Sequence, residues 1–420
     1  MTEQMNVPKL RFGEFKDHVA KPKKLGQLVD MRSGNTPSKS NPKFWEGTIP
    51  WISASSMKGN VFSESEQNVT QLALENGAKL ATKGSILLLV RGSMLFNKIP
   101  VGFAGCDVTY NQDVKAINLK SGDDNSYLFH WFKANEYRLL SMVTGTGIGA
   151  GKLDSDELLS LPFHQPKPAE QQKIASFLSK VDEKIALLTE KKDKLTEYKK
   201  GVMQQLFNGK WEEQDGQLIF VPPTLRFKAD DGSEFPDWEE KKLGGVGSIV
   251  SGLTYSPENV VEHGTLVLRS SNIQNDQLSF QDNVYVNADK FNPVMEGDIL
   301  ICVRNGSKNL IGKSALITAQ AEGMAFGAFM TVYRSKYSPY LQHYFKTDTY
   351  KRNVHRNLGA TINSINGSDL KRFKISMPSQ AEQNKIATLL NSLDMKIHHT
   401  ISELEKAKEW KRGLLQQMFV

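Results

Sequence analysis

The 420-residue chain holds only two cysteines, Cys106 and Cys302. They stand far apart and lack the spacing of metal ligands, which excludes a disulfide-stapled or zinc-built scaffold. Both are expected to be reduced and structural, in a cytoplasmic protein. No apolar run is long enough to span a bilayer. The opening MTEQMNVPKL has no basic stretch followed by an apolar one, so no secretory signal is predicted. There is no Walker A sequence, no His-Glu-x-x-His, no Cys/His cluster and no nuclease-type group of carboxylates. The eight histidines are scattered, apart from His398–His399.

Three fragments approach a catalytic motif and miss it. Asn41-Pro42-Lys43-Phe44 lacks the second proline of the Asn-Pro-Pro-aromatic signature of amino-methyltransferases. Phe103-Ala104-Gly105-Cys106 lacks the last glycine of the accompanying Phe-x-Gly-x-Gly. Neither has a counterpart elsewhere in the chain. GTGIGA (145–150) fits Gly-x-Gly-x-x-Ala, but a predicted helix precedes it where a strand is needed. No catalytic residue is assigned, and no metal or cofactor is expected on this chain.

What is present describes a globular protein. Apolar residues make up 39% and charged residues 24%, and the length calls for two or three domains. The net charge of +7 permits a polyanionic partner without demanding one.

The dominant feature is a repeat. AEQQKIASFLSKVDEKI begins at Ala169 and AEQNKIATLLNSLDMKI at Ala381; residues 169–207 align with 381–419 without a gap, and 17 of 39 positions are identical. Unrelated segments would match at roughly one position in seventeen. Upstream, VPKLRF (7–12) answers PPTLRF (222–227), and KKLG (23–26) answers KKLG (241–244). KGSILLLVRG (83–92) answers EGDILICVRN (296–305), and YLFHWFK (127–133) answers YLQHYFK (340–346). One module is duplicated: a globular part, then a long helix. The two globular parts share a framework but diverge in their middles, 31–60 against 249–276. That pattern suits a fixed scaffold carrying two different recognition surfaces, although drift in loops would look the same.

Ile174, Leu178, Val181, Ile185 and Leu188 step by 4, 3, 4 and 3, the seam of a coiled coil. Ile386, Leu390, Leu393, Ile397 and Leu404 repeat it, with Lys192 and Lys199 interrupting the first copy and Lys411 the second. Prolines mark both starts, PKP (166–168) and MPS (377–379). At 1.5 Å per residue each helix spans roughly 58 Å, too long to bury its stripe on one domain. Pairing of the two helices is the simplest solution, and the antiparallel arrangement is favoured because it gives approximate two-fold symmetry. A bundle with helices of another chain is the alternative. SILLLVRG and DILICVRN read as strands; 124–143 and 338–358 read as helices. The expected fold is α/β (α+β), in two copies: globular domains at 1–165 and 211–377, and long helices at 166–210 and 378–420.

On these residues the chain resembles the specificity subunits of type I restriction-modification enzymes. The resemblance is carried by LRFGEF, LRFKADDGSEFPDW, SGNTPS (33–38), Arg91-Gly92 after the first apolar strand, KKDKLTEYKKGVMQQLFNG and, above all, PKPAEQQKIASFLSKVDEKI with its copy. It departs at 13–23, which lacks the tryptophan that Trp238 supplies in the second half. The resemblance implies a non-catalytic DNA-binding subunit. Each globular part would be a target-recognition domain reading one half of a bipartite double-stranded DNA site. The helices would set the unread spacer and dock two methyltransferase (modification) subunits, to which two restriction translocase/endonuclease subunits attach. S-adenosylmethionine, ATP and Mg2+ would belong to those partners. A duplicated scaffold without a DNA role and a stand-alone DNA methyltransferase are the rival readings.

Base edges are read by Arg, Asn, Gln, Lys, Ser and Thr, and phosphates by Lys, Arg and backbone amides. Loops after strands offer Arg32, Asn35, Thr36, Lys39, Ser53, Ser55, Lys58, Arg91, Asn97, Lys98, Asn111 and Gln112 in the first half. The second half offers Tyr255, Arg269, Ser271, Asn272, Arg304, Asn305, Lys308, Asn309 and Asn363. Any one of these is also an ordinary solvated loop residue. Arg91 and Arg304 follow the same strand in both halves, so they are expected to position the backbone of the DNA rather than read its bases.

Overall fold

Ile86–Leu89 and Ile299–Cys302 are buried at every position, the pattern of strands covered on both faces. They are the inner strands of two equivalent sheets. A computed structural model describes residues 8–16, 21–122, 124–147, 149–359 and 363–419. The chain divides into two units, Met1–Thr189 with Ser402–Val420, and Glu190–Ile401.

In the first unit the main sheet runs Val29–Ser33, Val114–Leu119, Ile86–Leu89, Val101–Ala104, Val61–Phe62. The first four strands are antiparallel neighbours and the last joins in parallel. In the second unit the order is Ser248–Ser251, Met330–Arg334, Ile299–Cys302, Ser314–Leu316, antiparallel throughout. An early strand of each globular part pairs with the strand that precedes a long helix: Lys23–Lys24 with Pro162–Phe163, and, after the hairpin Lys210–Gln214/Gln217–Val221, Glu239–Lys242 with Lys374–Met377. Each globular part is thereby closed on itself, and the fold is α/β as expected.

The stretches read as single helices are each broken in two. Ser126–Ala134 is followed by Glu136–Ser141, and Ser338–Tyr344 by Asp348–Arg356. At Asn135 the side chain donates to Trp131 O at 3.0 Å and the backbone leaves the helical region. At Thr347 the backbone is extended and Oγ1 accepts from Tyr350 N at 3.2 Å. These are residues whose short polar side chains compete with helical bonding or start a new helix.

The long helices are Pro168–Leu206 and Gln380–Met418. One starts on a proline, whose missing N–H is no loss in a first turn. The first unit holds residues up to 189 of the first helix and those from 402 of the second; the second unit holds the rest. Within each unit the N-terminal part of one long helix therefore lies beside the C-terminal part of the other, antiparallel.

The repeated phrase has a structural reason. Its glutamate is buried in both units and is gripped by the arginine of the repeated Leu-Arg-Phe. Arg11 Nε and Nη2 donate to Glu170 at 2.9 and 2.7 Å. Arg226 Nε and Nη2 donate to Glu382 at 3.1 and 2.9 Å, and Trp238 Nε1 adds a bond of 3.0 Å. The next residue also has one job in both copies: Gln171 Nε2 donates to Pro166 O at 2.8 Å, and Gln383 Nε2 to Pro378 O at 2.7 Å. Two residues on, Lys173 pairs with Glu14 and Lys385 with Asp230. The motif fastens the start of each unit to the start of its helix.

Of the seam residues, Ile174, Leu178 and Val181 are buried in the first unit's core together with Leu414, Leu415 and Met418. Ile386, Leu390 and Leu393 are buried in the second unit's core together with Val202 and Leu206. Ile185, Leu188 and Ile397 are only half-buried, while Leu404 is buried. The seam therefore serves the globular cores as well as the partner helix. Each fully buried leucine contributes about 1.5–3 kcal/mol. Lys411 pairs with Asp182 in the first unit, and Lys199 with Asp394 in the second. Asp182 aligns with Asp394 and Lys199 with Lys411, so the two ion pairs are one contact, duplicated.

Beside each pair lies a buried histidine and a half-buried lysine. Burial, with Lys411 nearby, pushes the His130 imidazole down to about 4. Burial, with Lys346 and Lys199 nearby, pushes His343 down to about 3. Burial also lowers Lys133 and Lys346.

Candidate nucleic-acid interface

A parallel strand pair organises the candidate residues of each unit. In the first, Thr109 lies beside Trp51 and Tyr110 beside Ile52, so Trp45–Ile52 and Val108–Tyr110 leave the sheet at the same end. Ser53 and Ser55 follow one strand, Asn111 and Gln112 the other. Asn35 N donates to Tyr110 O at 3.0 Å, and Thr36 Oγ1 donates to Gln112 Oε1 at 2.8 Å, which brings a third loop to this end. Val90 N donates to Asp113 O at 2.8 Å and sets the exposed Arg91 alongside.

The second unit repeats the plan. Val267 lies beside Ala325 and Leu268 beside Phe326. Arg269 and Ser271 follow one strand and 327–329 the other. Leu253 N donates to Phe326 O at 2.7 Å and carries Tyr255 to the same place. Val303 N donates to Phe329 O at 3.0 Å, as Val90 does to Asp113, so Arg304 occupies the place of Arg91. Asn305 Nδ2 donates to Ser270 Oγ at 3.0 Å, and Asn363 Nδ2 to Gly306 O at 2.8 Å, which ties two further loops to the cluster.

Glycine is required at Gly34 and Gly252. A Cβ at Gly34 would lie 2.2 Å from Tyr110 O, and one at Gly252 would lie 2.3 Å from Gly327 O. This close approach explains the Ser-Gly shared by SGNTPS and SGLTYS.

The remaining candidates lie outside these clusters. Arg32 is exposed and paired with Asp30 at 2.7 Å. Lys39 sits in a turn, Asn97 and Lys98 follow the one-turn helix Ser93–Phe96, and Lys308 and Asn309 form part of another at Lys308–Leu310; all are exposed. Lys58 lines a shallow hollow with Ser55.

Two candidates are corrected. Asn111 and Asn272 are buried, and their side chains hold the loops together. Asn111 Oδ1 accepts from Asp113 N at 3.1 Å. Asn272 Oδ1 accepts from Arg269 N at 2.9 Å and its Nδ2 donates to Ser279 O at 3.0 Å. With Asn111 7% exposed and Asn272 fully buried, neither amide is presented to a base edge. Asn35 is half-buried and similarly engaged, accepting from Lys79 N and donating to Gly77 O.

A search for polar base readers overlooked the apolar members of the second cluster. Phe329 is 56% exposed, with the Arg304 guanidinium 5.5 Å from its ring centroid. Val260 is 47% exposed. The available signal was an aromatic where the first half has Asp113. Asn41, of the near-miss catalytic fragment, caps the one-turn helix Pro42–Phe44. Ile148 of GTGIGA lies outside the described residues. Among the described residues, no group of three or more His, Cys, Asp or Glu is placed to hold a metal ion, and no helix is long and apolar enough to cross a membrane.

A family model described as "Type I restriction modification DNA specificity domain" matches residues 20–197 and 236–406. The EcoR124I/EcoR124II specificity subunit of Escherichia coli is 31% identical over 199 residues, 45% of this chain and 49% of that protein. The MjaVIII specificity subunit of Methanocaldococcus jannaschii is 25% identical over 408 residues, 93% of this chain and 90% of that protein. The chain thus spans about half the length of the first relative and most of the second. In structure it is similar to the S subunit of a type I restriction-modification system from M. genitalium, with a TM-score of 0.60 at 18% identity over 99% of both chains; this is a likeness of fold.

Proposed function

The chain belongs to the type I restriction-modification DNA specificity family, and from that premise we propose that it is the sequence-reading, non-catalytic subunit of a methyltransferase/endonuclease complex. Each unit reads one half of a bipartite site in double-stranded DNA. The long helices hold the two readings at a fixed spacing and dock two methyltransferase subunits, through which two translocase/endonuclease subunits join. S-adenosylmethionine, ATP and Mg2+ serve those partners.

The observation that carries this reading is the contrast between equivalent loops. The same backbone bonds build both clusters, yet the first presents Ser53, Gln112 and Asp113 where the second presents Arg269, Ala328 and Phe329. One framework with two surface chemistries suits the reading of two different half-sites. Arg91 and Arg304, alike in both units, are suited to the phosphates, which are alike in any sequence.

Binding selection with this chain and its methyltransferase subunits tests the proposal. Two different half-sites separated by an unread spacer are expected, with affinity falling steeply as salt rises and counterions are released. A response flat across roughly 50–200 mM salt would favour a scaffold without a DNA role. Stoichiometric S-adenosylmethionine binding by the purified chain alone would favour a methyltransferase.

A further inference from the structure

The second unit's cluster surrounds a hollow of about 590 Å3. Its walls are Tyr255, Val260 and Phe329; Arg269 and Ser271 contribute the polar part, with Asp282 accepting from Arg269 Nη2 at 3.0 Å. Two features of this hollow remain unexplained by the fold. Phe329 and Val260 place large apolar surfaces at solvent, 56% and 47% exposed. Arg269 Nε and Ser271 Oγ are buried and make no hydrogen bond within the protein, which is costly. The corresponding positions of the first unit are polar: Asn35, Gln112 and Asp113 stand where Leu253, Ala328 and Phe329 stand here.

We infer that this hollow reads a thymine in the second unit's half-site, a proposal that rests on that unit binding DNA through this face. In the major groove the four base pairs differ in donors and acceptors, and thymine alone adds an apolar group, its 5-methyl. A wall of Phe329, Val260 and Tyr255 gains from that methyl and gains nothing from the amino group of cytosine or adenine. The Arg269 guanidinium, fixed in direction by the Asp282 pair and 34% exposed, donates to an acceptor on the same edge or its neighbour, with thymine O4 and purine N7 both suited. Arg304, 5.5 Å from the Phe329 ring centroid, holds the ring while its charge faces the backbone. The first unit has no equivalent wall and reads its half-site through polar groups.

The test uses the complex of this chain with its methyltransferase subunits on its selected duplex. Each thymine is replaced in turn by deoxyuridine, which removes only the methyl. One position, in one half-site, is expected to weaken binding about fourfold, the value of one buried methyl group. Phe329→Ala is expected to abolish that thymine-over-uracil preference, and Phe329→Leu to retain part of it; both leave the other half-site read as before. Because Phe329 is exposed, neither variant threatens folding, and retained reading of the other positions of the second half-site verifies that. Deoxyuridine tolerated at every position, or a preference that survives Phe329→Ala, overturns the proposal. Scrambling each half-site separately keeps the two readings apart. Lost binding on scrambling with uracil tolerated sinks only the thymine contact. Scrambling without effect on one side shows that the second unit reads no sequence at all.

Discussion

Replacing Glu382 by alanine tests whether the repeated helical phrase is a fastening. The carboxylate is fully buried and Arg226 is 14% exposed. Removing the acid leaves the guanidinium with only the exposed Asp237, 4.0 Å away, as counter-charge and the Trp238 indole N–H without an acceptor. Breaking one side of a buried pair costs about 3–5 kcal/mol, and an orphaned indole donor adds about 1 kcal/mol or more. Part is recovered because Arg226 Nη2 also donates to Phe235 O and Pro236 O, at 3.0 and 2.8 Å. A net loss of about 4 kcal/mol is expected. For a unit of this size that lowers Tm by roughly 8–16 °C, read by calorimetry as a shift of the second unit's transition with the first unit's unmoved. Glu170→Ala should cost the first unit about 1 kcal/mol less, since its Arg11 pair has no tryptophan attached. Arg226→Ala combined with Glu382→Ala should lose little more than either alone, because residues of one network do not add. A loss under about 1 kcal/mol for Glu382→Ala, or strictly additive losses, would refute the fastening: the expected coupling in such a network is roughly 0.5–3 kcal/mol.

The buried histidines predict the acid limb of stability. Unfolded, each titrates at about 6.5; folded, His130 is held down to about 4 and His343 to about 3. Below pH 6.5 the unfolded chain therefore binds more protons, and stability falls with pH at up to ~1.4 kcal/mol per unit per histidine. The fall ends near the folded value of each, and His343→Gln should flatten it for the second unit in pH-dependent denaturant titrations; an unchanged slope would count against the cause. Residues 1–209 alone should form a homodimer that selects an interrupted palindrome, because Tyr198, Val202 and Leu206 of one copy align with Trp410, Leu414 and Met418 and Lys199 can meet Asp182 as Lys411 does. Lys192 in the place of Leu404 should make that dimer weaker than the intramolecular pair, and selection of a direct repeat would contradict the antiparallel arrangement. Deleting Lys191–Glu197 keeps the heptad phase of the first helix but breaks its match with the second. It should change or abolish recognition of the native spacer, and unchanged spacer preference in selection would remove the helices from that role.

The amino-acid sequence by itself determined the duplication, the two long helices and the apolar strands. Those features are written locally: the 4,3 spacing from Ile174 and Ile386, the prolines before each helix, and continuous runs such as Ile86–Leu89. It also determined the family, because Leu-Arg-Phe and Ala-Glu-Gln are specific and occur twice. Why they occur twice was decided only in three dimensions, since Arg226 and Glu382 lie 156 residues apart and meet as a buried pair. The candidate surface divided the same way. That Ser, Asn, Arg and Gln cluster after strands is legible from composition and turn residues. Which amides are consumed inside the loops is not, because Asn111 and Asn272 look in sequence like Gln112 and Asn309. Burial depends on neighbours that the chain brings from elsewhere: the Tyr110 end of one strand against the Trp51 end of another. The apolar wall of Tyr255, Val260 and Phe329 belongs to the same class. Its residues come from two segments about seventy residues apart in sequence, so only the parallel strand pair that gathers their loops turns them into one surface.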